Sequence, residues 1–331
     1  MKLELAIDVG SSHVTIYQKG KGVVLREPNV AIVNNSGDVE VLEVGQKAIG
    51  MLGRSDRRVK AVYPVSEGVI VHPEVFSKML AAFIQRLHNA RFIKPTVSVL
   101  ALISQCLNDV ERKNMEKAIY DAGVRDVTLV ESPLALYVEN GKRDGLYVNI
   151  GADLTEVSIV TSGGIMSGYT LNVGGNTFNN LISDRITDRY GVKIGKYTAE
   201  KVKKTIGSMY ENDMNTDEIV GVNIVDGENV LVDVNAGDVL QSIRGSVNAI
   251  IEVINTTLNL CPKEIYGKVA TEGVYLAGGS TLLPGLEEYI LEKTKINVVS
   301  LENATSVVAL GGGKMVEDAT ILSSLLRLKN I

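Results

Sequence analysis

Two distant stretches of this chain repeat one pattern, and that repeat limits the fold more than any other feature. Ala6-Ile7-Asp8-Val9-Gly10 parallels Tyr147-Val148-Asn149-Ile150-Gly151, and Val14-Thr15-Ile16 parallels Val157-Ser158-Ile159. Each copy reads as an apolar strand, a glycine turn and a returning strand. A duplicated strand–turn–strand unit predicts an α/β chain of two similar lobes with a site between them.

The pattern between and after the two copies fits this reading. Strand-like runs follow at Val23–Leu25, Val30–Val33 and Val39–Leu42, and apolar spacing predicts a helix over Glu74–Leu87. Thr96–Ile103 is a continuous apolar run of central-strand length. Asn108-Asp109-Val110-Glu111 has the form of a capping box opening a helix that continues to Ala122. Val127–Glu131 is the next strand, and Ser132-Pro133 starts a helix with proline at a tolerated position. After the second copy, helices are expected after Gly174-Gly175, over Thr198–Ile206 and over Ala236–Leu258. Gly273–Ala277 is a strand leading into Gly278-Gly279-Ser280 and a helix from about Leu282. A final helix is expected after Gly311-Gly312-Gly313.

With 331 residues and 45% hydrophobic side chains, the chain can bury two ordinary cores. A net charge of -5, no Trp and only 5% aromatics argue against a nucleic-acid partner. Cys106 and Cys261 stand far apart in no metal-ligand spacing, as in a reducing compartment. The start of the chain runs straight into a strand without the apolar core of a signal peptide, and no run approaches the ~20 residues of a membrane span. A cytoplasmic protein is expected.

Three glycine-containing turns follow apolar strands: Asp8-Val9-Gly10-Ser11-Ser12-His13, Asn149-Ile150-Gly151-Ala152-Asp153-Leu154-Thr155, and Ala277-Gly278-Gly279-Ser280-Thr281. Small residues let backbone N–H groups close on phosphate oxygens as an anion-binding nest. The third turn is expected to feed a helix N-terminus, which adds a partial positive charge. Asp8, at a strand end, is placed to hold Mg²⁺ directly or through water. His13 reads equally as a phosphate donor or as a solvated loop residue. Lys201, Lys203 and Lys204 read as a solvated helix face.

Taken in order, these turns resemble the actin/sugar-kinase/DnaK superfamily, and the motifs around them resemble its MreB branch. The likeness runs through Gly20–Pro28, Val44-Gly45, Ile49–Arg54, Gly68–Ile70, Asp109–Arg112, Ala122-Gly123, Gly163–Ile165, Tyr197–Glu200, Ile206-Gly207 and Leu276–Leu286. It implies an actin-like ATPase fold: two lobes with duplicated ribonuclease-H-like cores and a nucleotide cleft between them. It places the first lobe at residues 1–140 with an insertion at about 30–70, the second at 141–317 with an insertion at about 180–240, and a C-terminal helix at 318–331 returning to the first lobe. It implies ATP or ADP with Mg²⁺ as ligands, self-association into filaments, and a role in organising cell shape or wall synthesis with morphogenesis proteins as partners. Gly10, Ser11, Ser12 and His13 resemble the first phosphate loop, and Gly151, Ala152, Asp153 and Thr155 lie on the second. Glu200 and Lys203 lie on the ribose side, and Gly278, Gly279 and Ser280 resemble the adenosine loop. In the stretch before Thr96, Phe92-Ile93 between Arg91 and Lys94 resembles a hydrophobic loop that dips into the inner face of the membrane. The same residues also read as Phe92 folding back into the core.

The chain departs from the family around the nucleotide. Asn149 stands where the family has Asp, Gly151-Ala152-Asp153-Leu154 where it has Gly-Gly-Gly-Thr, and Asn179 and Thr205 where it has acids. Asp153 puts a negative charge where bare backbone meets phosphate, which repels unless a cation intervenes. Glu131-Ser132-Pro133 replaces Glu-Glu-Pro, so Ser132 occupies the place of the water-activating acid, and a hydroxyl is a poor general base near neutral pH. Glu131 remains beside it. The expectation is nucleotide binding with weakened or lost hydrolysis. The alternatives are a non-polymerising DnaK-like ATPase or chaperone, a sugar or acetate kinase, and a nucleotide-independent scaffold.

Overall fold

The computed structural model describes residues 2–34, 39–52, 59–88 and 95–328. Its contacts divide the chain into two compact units, Met1–Asp144 with Val160–Gly168 and Thr305–Ile331, and Gly145–Ile159 with Tyr169–Ala304.

The first sheet has Lys2–Val9 at its centre. This strand runs antiparallel to His13–Gln18 on one side and parallel to Thr96–Ile103 on the other. Asp126–Glu131 and Gly22–Pro28 complete the edges. Alternation decides the faces. Leu3, Leu5, Ile7 and Val9 join Val97, Val99, Ala101 and Ile103 in one core, covered by Phe76, Met79, Leu80 and Phe83 of helix Pro73–Arg86. Ala6 and Leu102, at the alternate positions, meet helix Val307–Glu317 instead. Helix Asp109–Asp121 opens with the expected capping box: the Asn108 side chain accepts from Glu111 N–H and Glu111 accepts from Asn108 N–H. A smaller three-stranded sheet is formed by Glu40–Val44, Ala31–Asn34 and Val59–Val62.

The second sheet repeats the first in topology. Gly145–Ile150 has Thr155–Thr161 and then Gly164–Leu171 on one side, with Val274–Ala277 and Val298–Ser300 on the other, both parallel where they pair. The duplicated unit read from the sequence is therefore a duplicated sheet. Leu146, Val148 and Ile150 bury against Phe178, Ile182 and Ile186 of helix Gly175–Tyr190 and against helix Ala236–Asn259. The two helices are bound by Asp238, a carboxylate only 1% exposed. It accepts from Tyr190 Oη at 2.6 Å and from Arg185 Nη2 at 3.3 Å, and it is also paired with Arg189. Burial, together with the bond to this carboxylate, pushes the Tyr190 phenol up to about 12. Buried charge persists only with such pairing, since removing one partner strands the other.

Two sequence expectations are corrected. Gly278-Gly279-Ser280 does not lead directly into a helix from about Leu282. It passes into a single 3-10 turn, Gly279–Leu282, and the helix proper is Leu286–Thr294. Pro284 lacks the N–H that an interior helical position donates, and Gly285 takes a left-handed φ of 76°. The second correction concerns Gly311-Gly312-Gly313, which lies inside helix Val307–Glu317 and does not precede it. The structure adds the hairpin Thr216–Asn223 and Asn229–Asn235 and the helix Lys263–Glu272 to the elements expected from the sequence. Asp226-Gly227 between two valine-bearing runs was the available hairpin signal. Phe92 and Ile93 lie outside the described residues.

Candidate functional site

In the first unit, the turn after Lys2–Val9 is drawn tight. Gly10 N–H donates to His13 O at 3.2 Å, and a Cβ at Gly10 would stand 2.9 Å from that oxygen, so glycine is required. Asn29, directly after strand Gly22–Pro28, completes the turn. Only 1% exposed, it donates its own N–H to Ser12 O at 2.8 Å and its side-chain amide to Gly10 O at 2.7 Å. With those carbonyls held back, the amides of Ser11 and Ser12 take no main-chain partner among the described residues, which suits an anion-binding nest. The sequence offered no sign of Asn29 beyond its polarity beside Pro28. Ser12 Oγ stands 2.9 Å from His13 Nδ1, so that ring braces the turn. Asp8 is half-buried at the strand end, paired in register with Thr15 and Leu102.

The residues expected at the hydrolytic position are engaged elsewhere. Ser132 is buried and donates its hydroxyl to Ile103 O at 3.0 Å. Glu131, also buried, is paired with Arg112 Nη2 at 2.9 Å. A hydroxyl donated to a carbonyl still has acceptor capacity, but it is held in place as structure.

In the second unit the turns interlock. Gly151 N–H closes its turn on Leu154 O at 2.8 Å. Gly151 O accepts from Gly175 N–H at 3.0 Å and from Ser280 Oγ at 2.9 Å. Ala152 O accepts from Asn176 N–H at 2.7 Å, and Asp153 Oδ1 accepts from Asn176 Nδ2 at 2.6 Å. The start of helix Gly175–Tyr190 thus holds the turn by its carbonyls. Gly278, with φ 93°, leaves no space for a side chain: a Cβ would lie 2.3 Å from Ile150 O. Thr155 is fully buried and donates its hydroxyl to Val173 O at 2.7 Å. Asn149 Nδ2 lies 3.4 Å from Glu156 Oε2. Asn179 is 2% exposed, and its Oδ1 has no hydrogen-bond partner among the described residues.

Lys203 brings charge to this cluster. On helix Lys196–Ile206, Lys201 pairs with Asp217 at 3.3 Å and Lys204 with Glu200 at 2.6 Å. Lys203 turns inward between them, so the three lysines are not one solvated face. Its Nζ donates to Gly175 O at 2.7 Å, and a Cβ on Gly175 would touch both Ser280 Oγ, at 3.0 Å, and Lys203 Nζ, at 3.1 Å. Burial holds the ammonium down at about 8, against a raising influence from Glu200. A cation kept out of water beside two glycine turns and a serine hydroxyl is suited to an anion.

Among the described residues no group of three acidic, histidine or cysteine side chains could cage a metal. Mg²⁺ does not need one, because it commonly takes one or two carboxylates and completes its shell with substrate phosphates and water. Asp8, half-buried at its strand end beside the Gly10 turn, fits that role.

The fold defines a class. The chain is similar to MreB5 of Spiroplasma citri bound to ADP, with TM-score 0.89 and 24% identity over 98% of each chain. It is also similar to the chain of the MamK double helical filament, with TM-score 0.82 and 20% identity over 96% of this chain and 99% of that one. This is an actin-like fold. The family model described as "MreB/Mbl protein" matches residues 2–324, and the chain belongs to that family. A relative, the cell shape-determining protein MreB of Escherichia coli (strain K12), is 32% identical over 95% of this chain and 93% of its own length. No helix among the described residues is long and apolar enough to cross a membrane.

Proposed function

We propose that this chain binds an adenine nucleotide with Mg²⁺, assembles into filaments, and acts in the cytoplasm to organise cell shape or wall synthesis together with morphogenesis proteins. The observation that carries the nucleotide reading is the inward Lys203 ammonium, 2.7 Å from Gly175 O and grouped with Ser280 beside the Gly151 turn. Gly151, Ala152, Asp153, Gly278, Gly279, Ser280, Glu200 and Lys203 serve the nucleotide in the second unit. Gly10, Ser11, Ser12 and His13 serve phosphate in the first, with Asp8 toward the metal. Support for filaments comes from the family and from the likeness to the MamK filament chain.

Hydrolysis is slow in this reading, because Ser132 donates to Ile103 O and Glu131 is paired with Arg112. Electron microscopy of the purified protein with ATP, with ADP and without nucleotide is expected to show filaments promoted by nucleotide. Phosphate release from the same samples is expected to stay near background. Absence of filaments under every condition would refute the assembly reading. Brisk phosphate release that survives Ser132→Ala would refute the hydrolytic one.

A peripheral contact with the inner face of the membrane through Phe92 and Ile93 is part of the proposal, and it rests on the sequence. Two apolar side chains contribute roughly 3–6 kcal/mol at most, and two flanking cations about 1 kcal/mol each on an anionic leaflet. That is too little for a monomer once association costs are met, whereas a filament presents the loop many times. Filaments are therefore expected to rise with anionic liposomes in a flotation gradient, and Phe92→Ser/Ile93→Ser filaments to remain in its bottom fraction. Equal lipid binding by that double variant would remove the membrane role.

A further inference from the structure

The three-stranded sheet of Val192–Lys193, Thr216–Asn223 and Asn229–Asn235 buries one face only. Ile219 and Val234 belong to the core of the second unit, and Val230 and Val232 pack against it. The alternate positions face outward in rows set by the strand register. Glu218 stands opposite Asp233, Val220 opposite Leu231, and Val222 opposite Asn229 on one side and Lys193 on the other. All of these side chains are exposed, and Leu231 is 64% so. Ile224 and Val225, in the loop joining the two longer strands, extend the exposed apolar strip.

This face suits a lone chain poorly. Two acids directly opposite each other weaken a strand pair. The nearby bridges, Lys201 to Asp217 and Lys204 to Glu200, leave Glu218, Asp233 and Lys193 without an ion pair among the described residues. An apolar row between an acid row and a lysine row is, however, complementary to itself. When two such faces stack with their strands running oppositely, the Val220–Leu231 row meets its own copy. The rows on either side, each about 7 Å away, exchange places. Asn229 then faces Asp233 of the second copy, and Lys193 lies one strand, about 4.8 Å, from facing its Glu218, an offset that a lysine stem spans. Stacking with the strands running the same way would set acid on acid. The same acids oppose an anionic lipid surface, so the charge pattern favours protein over membrane.

We propose that the outer face of this sheet is a self-docking surface, which pairs with the same face of a second copy of this chain about a two-fold axis through the Val220–Leu231 row. The contact goes beyond the nucleotide-promoted assembly proposed above, because it uses no nucleotide-binding residue and joins like surface to like. Its five exposed apolar side chains bury on the order of 1,000 Å² in a pair, the lower bound for a specific interface. The pairing is therefore weak between single chains and strengthened by avidity between assembled ones.

The test uses nucleotide-free full-length protein in sedimentation velocity, with concentration and salt varied. Wild type is expected to form a dimer that high salt weakens. Lys193→Glu is expected to weaken it about tenfold, since the symmetric pair replaces two attractions by two repulsions. Adding Glu218→Lys and Asp233→Lys to that chain is expected to restore it. A two-fold contact alone sets Val220 against its own counterpart. Val220→Cys, in a chain with Cys106→Ser and Cys261→Ala, is therefore expected to cross-link to itself through a short bis-maleimide, facing sheets lying about 10 Å apart. Leu231→Ser is expected to lose the dimer and still form filaments with ATP, so that failure of pairing and failure of assembly are read separately. A wild type that stays monomeric at every concentration overturns the proposal, as does a dimer that ignores Lys193→Glu or leaves Val220→Cys uncross-linked. Flotation of nucleotide-free wild type with anionic vesicles, lost in Leu231→Ser while self-association is unchanged, assigns the face to lipid and overturns it too.

Discussion

Lys203→Met is expected to weaken ADP binding by about one to two orders of magnitude, the scale of a lost charge-assisted hydrogen bond in a desolvated place. Methionine keeps most of the apolar stem and removes the ammonium that stands beside Gly175 and Ser280. Because burial holds this ammonium at about 8, the affinity of the wild-type protein is expected to fall as pH rises through about 8, and the variant's pH profile to be flat. The stability effect has the opposite sense. The folded pKa is lowered from the ordinary lysine value of 10.5, so between about 8 and 10.5 the unfolded chain binds a proton that the folded chain has lost. Stability of the ligand-free protein therefore rises with pH across that window, and the penalty is present in full below it. Calorimetric titrations at pH 7, 8 and 9 separate the two. A variant that binds as wild type does, at every pH, would disprove the assignment of Lys203 to the nucleotide.

Gly311→Val is expected to cost about 3 kcal/mol or more, at the upper end of overpacking effects. A Cβ on Gly311 would lie 2.0 Å from Ala135 O, a main-chain atom of helix Ser132–Glu139 that cannot rotate aside. At Gly312 it would meet Leu102 Cδ1 at 2.6 Å and Ala6 Cβ at 3.0 Å, and at Gly313 the Tyr17 ring at 2.5 Å. Three consecutive glycines thus let helix Val307–Glu317 lie flush against the first sheet and a second helix. Thermal unfolding is expected to show a lowered first transition, and limited proteolysis to open the first unit before the second. Gly313→Ala should be milder, since a tyrosine ring can give. Equal stability of Gly311→Val and wild type would show that this helix packs differently.

Much of the fold was legible because it is local. Lys2–Val9 and Gly145–Ile150 announce themselves by apolar-rich runs that end at a glycine turn, and the Asn108–Glu111 capping box by spacing alone. Local pattern misled where one residue type serves two purposes. Glycine in series reads as a breaker, and only the approach of Ala135, Leu102 and Tyr17 explains why Gly311–Gly313 lie within a helix. Likewise, Thr216–Asn223 carries valines on its exposed face, at Val220 and Val222, so its alternation is blurred.

The candidate site divides in the same way. The turns at Gly10, Gly151 and Gly278 are sequence features, because their backbone shapes admit little else, and the family resemblance follows from their order. Which polar group serves which turn is not a local property. Asn29 reaches Gly10 and Ser12, Asn176 takes Asp153, and Lys203 leaves its charged helix face for Gly175. Thr155, on the second loop by sequence, spends its hydroxyl on Val173 O. By itself, the sequence determined the central strands of both sheets, the glycine turns that end them and the family, since these depend on neighbours along the chain. The tertiary structure alone decided the partners of the buried polar groups, because each must satisfy its hydrogen bonds with whatever distant segment folds against it.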